Sequence, residues 1–177
     1  ARASAPSVVA WGAAAPPDFR FPATAQRGGS FRAMHTDPVE SVPWLTGPYR
    51  AFGERLGTVL FRVPDAMKRD DAKLAAMLAE WPADLPLTME FQDPSWHVDE
   101  TFAALTAAGA ALCATELPED EAPPILRRTG SFLYVRLRPL AYPAAHLASC
   151  AAGPAPHPAP ALAVCAFLRP HPVARAP

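Results

Sequence analysis

Apolar residues along this chain recur in two alternating rhythms. GTVLFRV, PLTMEFQ, ALCATE and SFLYVRLR are runs of strand length, whereas DDAKLAAMLAEWP sets Leu74, Met77, Leu78 and Trp81 at offsets of 0, 3, 4 and 7, the spacing of a single buried helical face. That stripe reads as core. DETFAALTAAG predicts a second helix, with Asp99 at the N-cap and Gly109 past its end. PYRAFGERLG predicts a shorter one, opened by proline, closed by glycine and carrying Phe52 and Leu56 four residues apart. An earlier strand follows the turn PPD, and ALAVCAFL has the length and apolarity of a last one. The predicted strands are 19–24, 57–63, 86–91, 110–116, 132–138 and 161–168; QRGGS and HTDP between the first two read as loop. Strands alternating with helices across short connections require parallel pairing, because parallel neighbours need a crossover, so the fold class is α/β.

Composition narrows the function. Half of the 177 residues are hydrophobic, ample for one core, and the net charge of −1 leaves no basic surface of the kind that grips nucleic acid. No apolar run approaches the roughly 20 residues that span a bilayer, so a cytoplasmic protein is expected. Cys113, Cys150 and Cys165 are widely spaced without a CxxC, which points to neither a disulfide framework nor a zinc knuckle. His35, His97, His146, His157 and His171 lack ligand spacing, so no metal site is expected, and no motif names a cofactor. Seven prolines between Pro154 and Pro177 predict irregular structure around the final strand.

Taken in order, FRFPATA, LGTVLFRVP, LTMEFQDPSW, ALCATE and YVRLR resemble the successive strand ends of the YecE-like family, domain of unknown function 72, over about residues 8–142. The resemblance implies a (β/α)8 TIM-like barrel, a fold of about 250 residues when complete. Against that layout this chain looks like an incomplete barrel carrying strands three to eight: a remnant of the preceding helix and loop at 1–17, well-matched βα units at 18–142, and a proline-rich tail with a final strand at 143–177. Glu90, Pro94, Ser95, Trp96, Tyr134 and Arg136 fit the family pattern closely. Elsewhere the chain departs from it. The family often has lysine where Thr24 stands, glutamine where Arg62 stands, Arg-His where Gln92-Asp93 stand, aspartate at Glu116 and His-Gly at Arg138-Pro139. The family has no established reaction, so the resemblance implies a fold and a site but no substrate.

In such a barrel alternate strand residues face the helices and the axis. Leu87, Met89 and Phe91 form the outward set of their strand, leaving Thr88, Glu90 and Gln92 inward; the same phase turns Arg62 inward, with Tyr134, Arg136 and Arg138. These charges gather at the C-terminal strand ends, where barrel enzymes keep their chemistry. Glu90 and Glu116 are candidates for an acid/base pair, and Arg62, Arg136 and Arg138, with Gln92 and Trp96 at the rim, for binding a phosphate or carboxylate. A purely structural ion pair would use the same residues. His97 reads as a solvent-facing loop histidine, Ser95 lacks a nucleophile's setting, and RGG at 27–29 reads as a flexible loop too short to cradle phosphate. The expected activity is a hydrolase acting on a phosphate-bearing or other anionic small molecule. A non-catalytic ligand-binding or scaffold barrel, or an inactive truncated copy, is the alternative. Six strands leave a barrel open, so self-association through the strand edges is also expected.

Overall fold

The computed structural model describes residues 4–115, 126–137 and 164–168. Six strands, β1 (Phe21–Thr24), β2 (Leu56–Val63), β3 (Leu87–Phe91), β4 (Ala111–Thr115), β5 (Leu133–Leu137) and β6 (Val164–Leu168), lie side by side in sequence order. Every pairing is parallel. The fold is an α/β arc of a TIM-like barrel, each observed strand lying inside or within one residue of its expected limits. Among the described residues no helix is long and apolar enough to cross a membrane.

Strand phase follows the alternation in sequence. Val59, Phe61, Val63, Leu87, Met89, Phe91 and Leu112 join one core with Leu74, Met77 and Leu105 of the flanking helices. Leu60, Cys113 and Tyr134 form a separate apolar group with Phe132 on the other, axial face. Below the charged residues on that face, the Thr58 and Thr88 hydroxyls meet at 2.8 Å, pairing two polar groups that burial would otherwise penalise.

The helices show why short motifs can override loop-like composition. α1 (Ala5–Ala14) begins at Ser4, whose Oγ accepts the Ser7 N–H. Its far end is clamped by Arg55, which donates to the carbonyls of Gly12 (2.6 Å), Ala15 (3.3 Å) and Pro16 (2.6 Å). A cation there satisfies orphan carbonyls and complements the helix dipole. QRGGS and HTDP, expected as loop, are instead largely taken up by α2 (Arg27–His35) and α3 (Pro38–Thr46), which leave only Thr36 and Asp37 between them. Gln26 caps α2 by accepting the Gly29 N–H at 2.6 Å, and Asp37 caps α3 by accepting that of Glu40 at 3.1 Å. Gly29 is required by packing: a Cβ there would lie 2.9 Å from both Leu45 and Trp44. The expected short helix is a 3-10 segment, Gly47–Arg55, interrupted by Gly53 at φ 53°, a left-handed value that suits glycine.

α4 (Asp71–Glu80) and α5 (Asp99–Ala107) sit where the periodicity put them. Asp99 is not the N-cap of α5: Val98 holds that position with no side-chain cap, and Asp99, in the first turn, pairs with Arg127 at 2.8 Å. Gly109 lies past the end of α5 at φ 65°.

The loops after β2 and β3 are stapled together. Trp96 donates its indole N–H to the Met67 carbonyl at 2.8 Å, Ser95 Oγ accepts the Arg69 N–H at 2.9 Å, and Lys68 bonds the buried Asp93 carboxylate. Lys68 first, and then Ser95, hold the Asp93 carboxyl down at about 2.

Two outcomes follow for stability. Arg55→Ala should cost about 2 kcal/mol in denaturant unfolding, because hydrogen bonds from a charged donor to three carbonyls are lost together. A carboxyl depressed in the folded state contributes stability above its unfolded value of about 3.9, lost as pH falls toward the folded one. Wild type should therefore be more stable than Asp93→Asn at pH 7, with the gap in melting temperature closing between about pH 4 and pH 2.

Candidate functional site

The register sets Arg62 directly beside Glu90 across β2 and β3, and Thr115 beside Arg136 across β4 and β5. All four face the axis. Arg62 Nε donates to Glu90 Oε2 at 2.9 Å, and Arg136 Nη1 donates to both carboxylate oxygens, at 3.0 and 2.9 Å. Thr115 Oγ1 reaches Oε1 at 3.5 Å. β4 lies between the two strands that carry Glu90 and Arg136, and its axial residues are the small Ala111, Cys113 and Thr115, which leave Arg136 room to reach across.

Burial distinguishes the partners. The Glu90 side chain is 0% exposed, whereas those of Arg62 and Arg136 are 37% and 28% exposed. A fully buried carboxylate is costly unless it is paired and hydrogen-bonded, so Glu90 depends on both arginines. The arginines keep part of their surface in the mouth. Burial, and after it the charges of Arg136 and Arg27, bring Arg62 below its ordinary value, although Cys113 opposes the shift; a guanidinium still stays protonated near neutral pH. Gln92, with its amide oxygen turned toward Arg62, accepts from Nε at 3.3 Å and from Nη2. It therefore braces the outer side of the same guanidinium.

Cys113 sits deeper on this face. Burial raises its thiol to about 12 against the opposing pull of Arg136 and Arg62, so at neutral pH it is an uncharged wall and no nucleophile.

Other candidates lie elsewhere. Trp96, expected at the rim, is 0% exposed: it stacks on Phe91, with ring centroids 4.8 Å apart, and joins the core between sheet and helices. Phe91 has outward phase, and the tight Pro94–Trp96 3-10 turn carries the indole to the same side. A fully enclosed ring offers no face to a ligand. Glu116 and Arg138 lie outside the described residues. His97 is exposed, with a ring nitrogen 3.2 Å from the Phe91 carbonyl oxygen. Among the described residues no cluster of three or more histidine, cysteine or acidic side chains could hold a metal ion.

Arg27, read from the sequence as part of a flexible RGG loop, is helical instead. It opens α2 immediately after β1, and its charge reaches Arg62. It stands three residues beyond the end of β1, and the adjacent glycines suggested a loop.

Comparison with known proteins agrees with this architecture. No curated protein matches the chain. A DUF72 family protein from Enterococcus faecalis V583 matches with a TM-score of 0.70 at 16% identity, over 84% of this chain and 70% of its own length. One from Thermotoga maritima MSB8 matches with a TM-score of 0.65 at 23% identity, over 77% of this chain, which spans only 55% of that protein. At such identities the likeness speaks for the fold alone. The family model described as protein of unknown function DUF72 matches residues 1–157, nearly the whole chain, and the protein accordingly belongs to the DUF72 family.

Proposed function

We propose that the axial mouth beside Arg62, Glu90 and Arg136 binds an anionic small molecule bearing a phosphate or carboxylate. One observation carries the reading: two partly exposed guanidinium groups converge on a single carboxylate that is wholly buried. Among the described residues of this cluster the charges do not cancel, and the surplus is positive. Among the described residues the hydrogen bonds of Arg136 run through Nη1, which leaves Nε and Nη2 as donors for a planar oxyanion.

Glu90 acts here as a positioning residue. Both its oxygens accept from arginine, so it orients the guanidinium heads and is poorly placed to take a proton from water. A hydrolase acting on such an anion is the reaction class that the barrel position suggests, by fold analogy. No general base is assigned to such a reaction: Glu90 is held by arginine, and Glu116, the second carboxylate expected from the sequence, lies outside the described residues. A non-catalytic binding barrel needs only the arginines, and Glu90's engagement favours this second reading.

The competing explanation is an ion pair that only holds strands together, and melting experiments separate the two. If the mouth binds an anion, inorganic phosphate or a phosphorylated metabolite should raise the melting temperature of wild type. Arg136→Ala should then weaken that binding by about 1.5–3 kcal/mol, roughly ten- to a hundredfold in Kd. If the cluster is structural only, Arg136→Ala loses roughly 3–5 kcal/mol of stability and no anion stabilises wild type. That second pattern would remove the binding site.

A further inference from the structure

We propose that the cleft between α2 and α3 is a second ligand site, one that binds a pyranose sugar. It shares no residue with the arginine mouth and stands independently of the anion-binding reading. The cleft encloses about 320 Å³, walled by Gln26, Gly29 and Arg32 on one side and by Glu40, Ser41 and Trp44 on the other. That is the small end of the range for ligand sites and suits a single sugar ring. The observation that points to a ligand is Ser41. It is 4% exposed, it stands in the wall of the cleft, and its Oγ is buried without a hydrogen-bond partner. Buried hydroxyls nearly always find a partner, because leaving one unpaired forfeits its hydration. Thr46 in the same helix donates to the Val42 carbonyl at 2.8 Å, whereas Ser41 Oγ makes no such bond to its own helix.

The other groups decide the ligand class. Gln26 Oε1 is committed to the Gly29 N–H at 2.6 Å, so its amide presents Nε2 as a donor. Arg32 adds guanidinium donors, with Asp37 3.9 Å from its Nη2, and Glu40 offers a carboxylate that only accepts. A phosphate or carboxylate would use the donors alone and meet Glu40 and Asp37 as like charges. An ammonium ion would use the acceptors alone and meet Arg32. A sugar hydroxyl donates and accepts at once, so it matches carboxylate, guanidinium, amide and serine hydroxyl together. Trp44 supplies the apolar part. It is 48% exposed, and its ring packs so close to α2 that a Cβ at Gly29 would lie 2.9 Å from it. The indole is thereby held in place as a platform for the C–H face of a pyranose ring.

Saturation-transfer NMR titration of the chain with the methyl glycosides of glucose, galactose and mannose tests the proposal. At least one should bind with a Kd of about 1 mM or tighter, and neither choline nor inorganic phosphate should displace it. Ser41→Ala should weaken that binding about tenfold while leaving the melting temperature of the ligand-free protein unchanged or slightly raised, because no internal hydrogen bond is lost. Trp44→Ala should weaken it by about tenfold or more, and Trp44→Phe less, since the smaller ring keeps a stacking face. Arg136→Ala, at the mouth, should leave glycoside affinity unchanged. Failure of all three glycosides to bind, their displacement by choline or phosphate, or a Ser41→Ala variant that binds as well as wild type overturns the proposal. A Ser41→Ala variant that melts lower without ligand overturns it too, since the hydroxyl then has an internal partner. None of these outcomes bears on the response to phosphate at Arg136, so the two sites stand or fall separately.

Discussion

Glu90 constrains everything around it. A carboxylate with no exposed surface is several kcal/mol out of balance unless charged partners reach it, and here the partners come from two different strands. Arg62 can meet it because β2 and β3 pair in parallel with these two residues side by side. Arg136 can meet it because β4 offers only small axial residues in between. A slip of one residue in any of these strands would turn a charged side chain into the helix-facing core, so the ion cluster and the sheet register enforce each other. The axial face is thin in apolar material, with Leu60, Cys113 and Tyr134 as its main group, and polar pairing does more there than hydrophobic burial.

Rigidity at the mouth comes from the loops. The links from Met67, Lys68 and Arg69 to Trp96, Asp93 and Ser95 tie the β2 and β3 loops to each other, and these loops follow the strands that end in Arg62 and Glu90. Trp96 therefore contributes to the site from outside it. Its ring fills the core under the β3 loop while its N–H fixes the β2 loop, which limits how far the guanidinium and carboxylate can drift apart.

Sequence legibility followed the strength of periodic signals. The apolar runs of β2 to β5 and the stripe of α4 were readable because each buries one face against a continuous core, and the inward phase of Glu90, Arg62 and Arg136 followed from that alternation alone. α2 and α3 were not readable as helices, since Gly28-Gly29 and Pro43 lower intrinsic propensity and tertiary contacts override it. Gly29 looks like a breaker in sequence, yet it is the residue that lets α2 approach Leu45 and Trp44. The cap signature at Asp37-Pro38, followed by Glu40, was present but outweighed. Trp96 was misplaced for a different reason: strand alternation stops at Phe91, and the 3-10 turn that follows sets its own direction. Arg27 was read as part of a flexible loop because an arginine beside two glycines has no periodic partner, whereas the Gln26 cap makes it the first residue of α2.

The departures from the family pattern take on a physical meaning in this arrangement. Where the resemblance has glutamine at the end of one strand and arginine at the end of the next, this chain has Arg62 and Gln92, the same two side-chain types with the strands exchanged. In space they form one pair, the Gln92 amide oxygen accepting from the Arg62 guanidinium. Read one position at a time, each substitution looks like the loss of a functional group. Read as a pair, the two side chains keep one guanidinium and one carboxamide at the mouth. In this chain Arg62 on β2 and Arg136 on β5 therefore hold the buried Glu90 carboxylate from both sides.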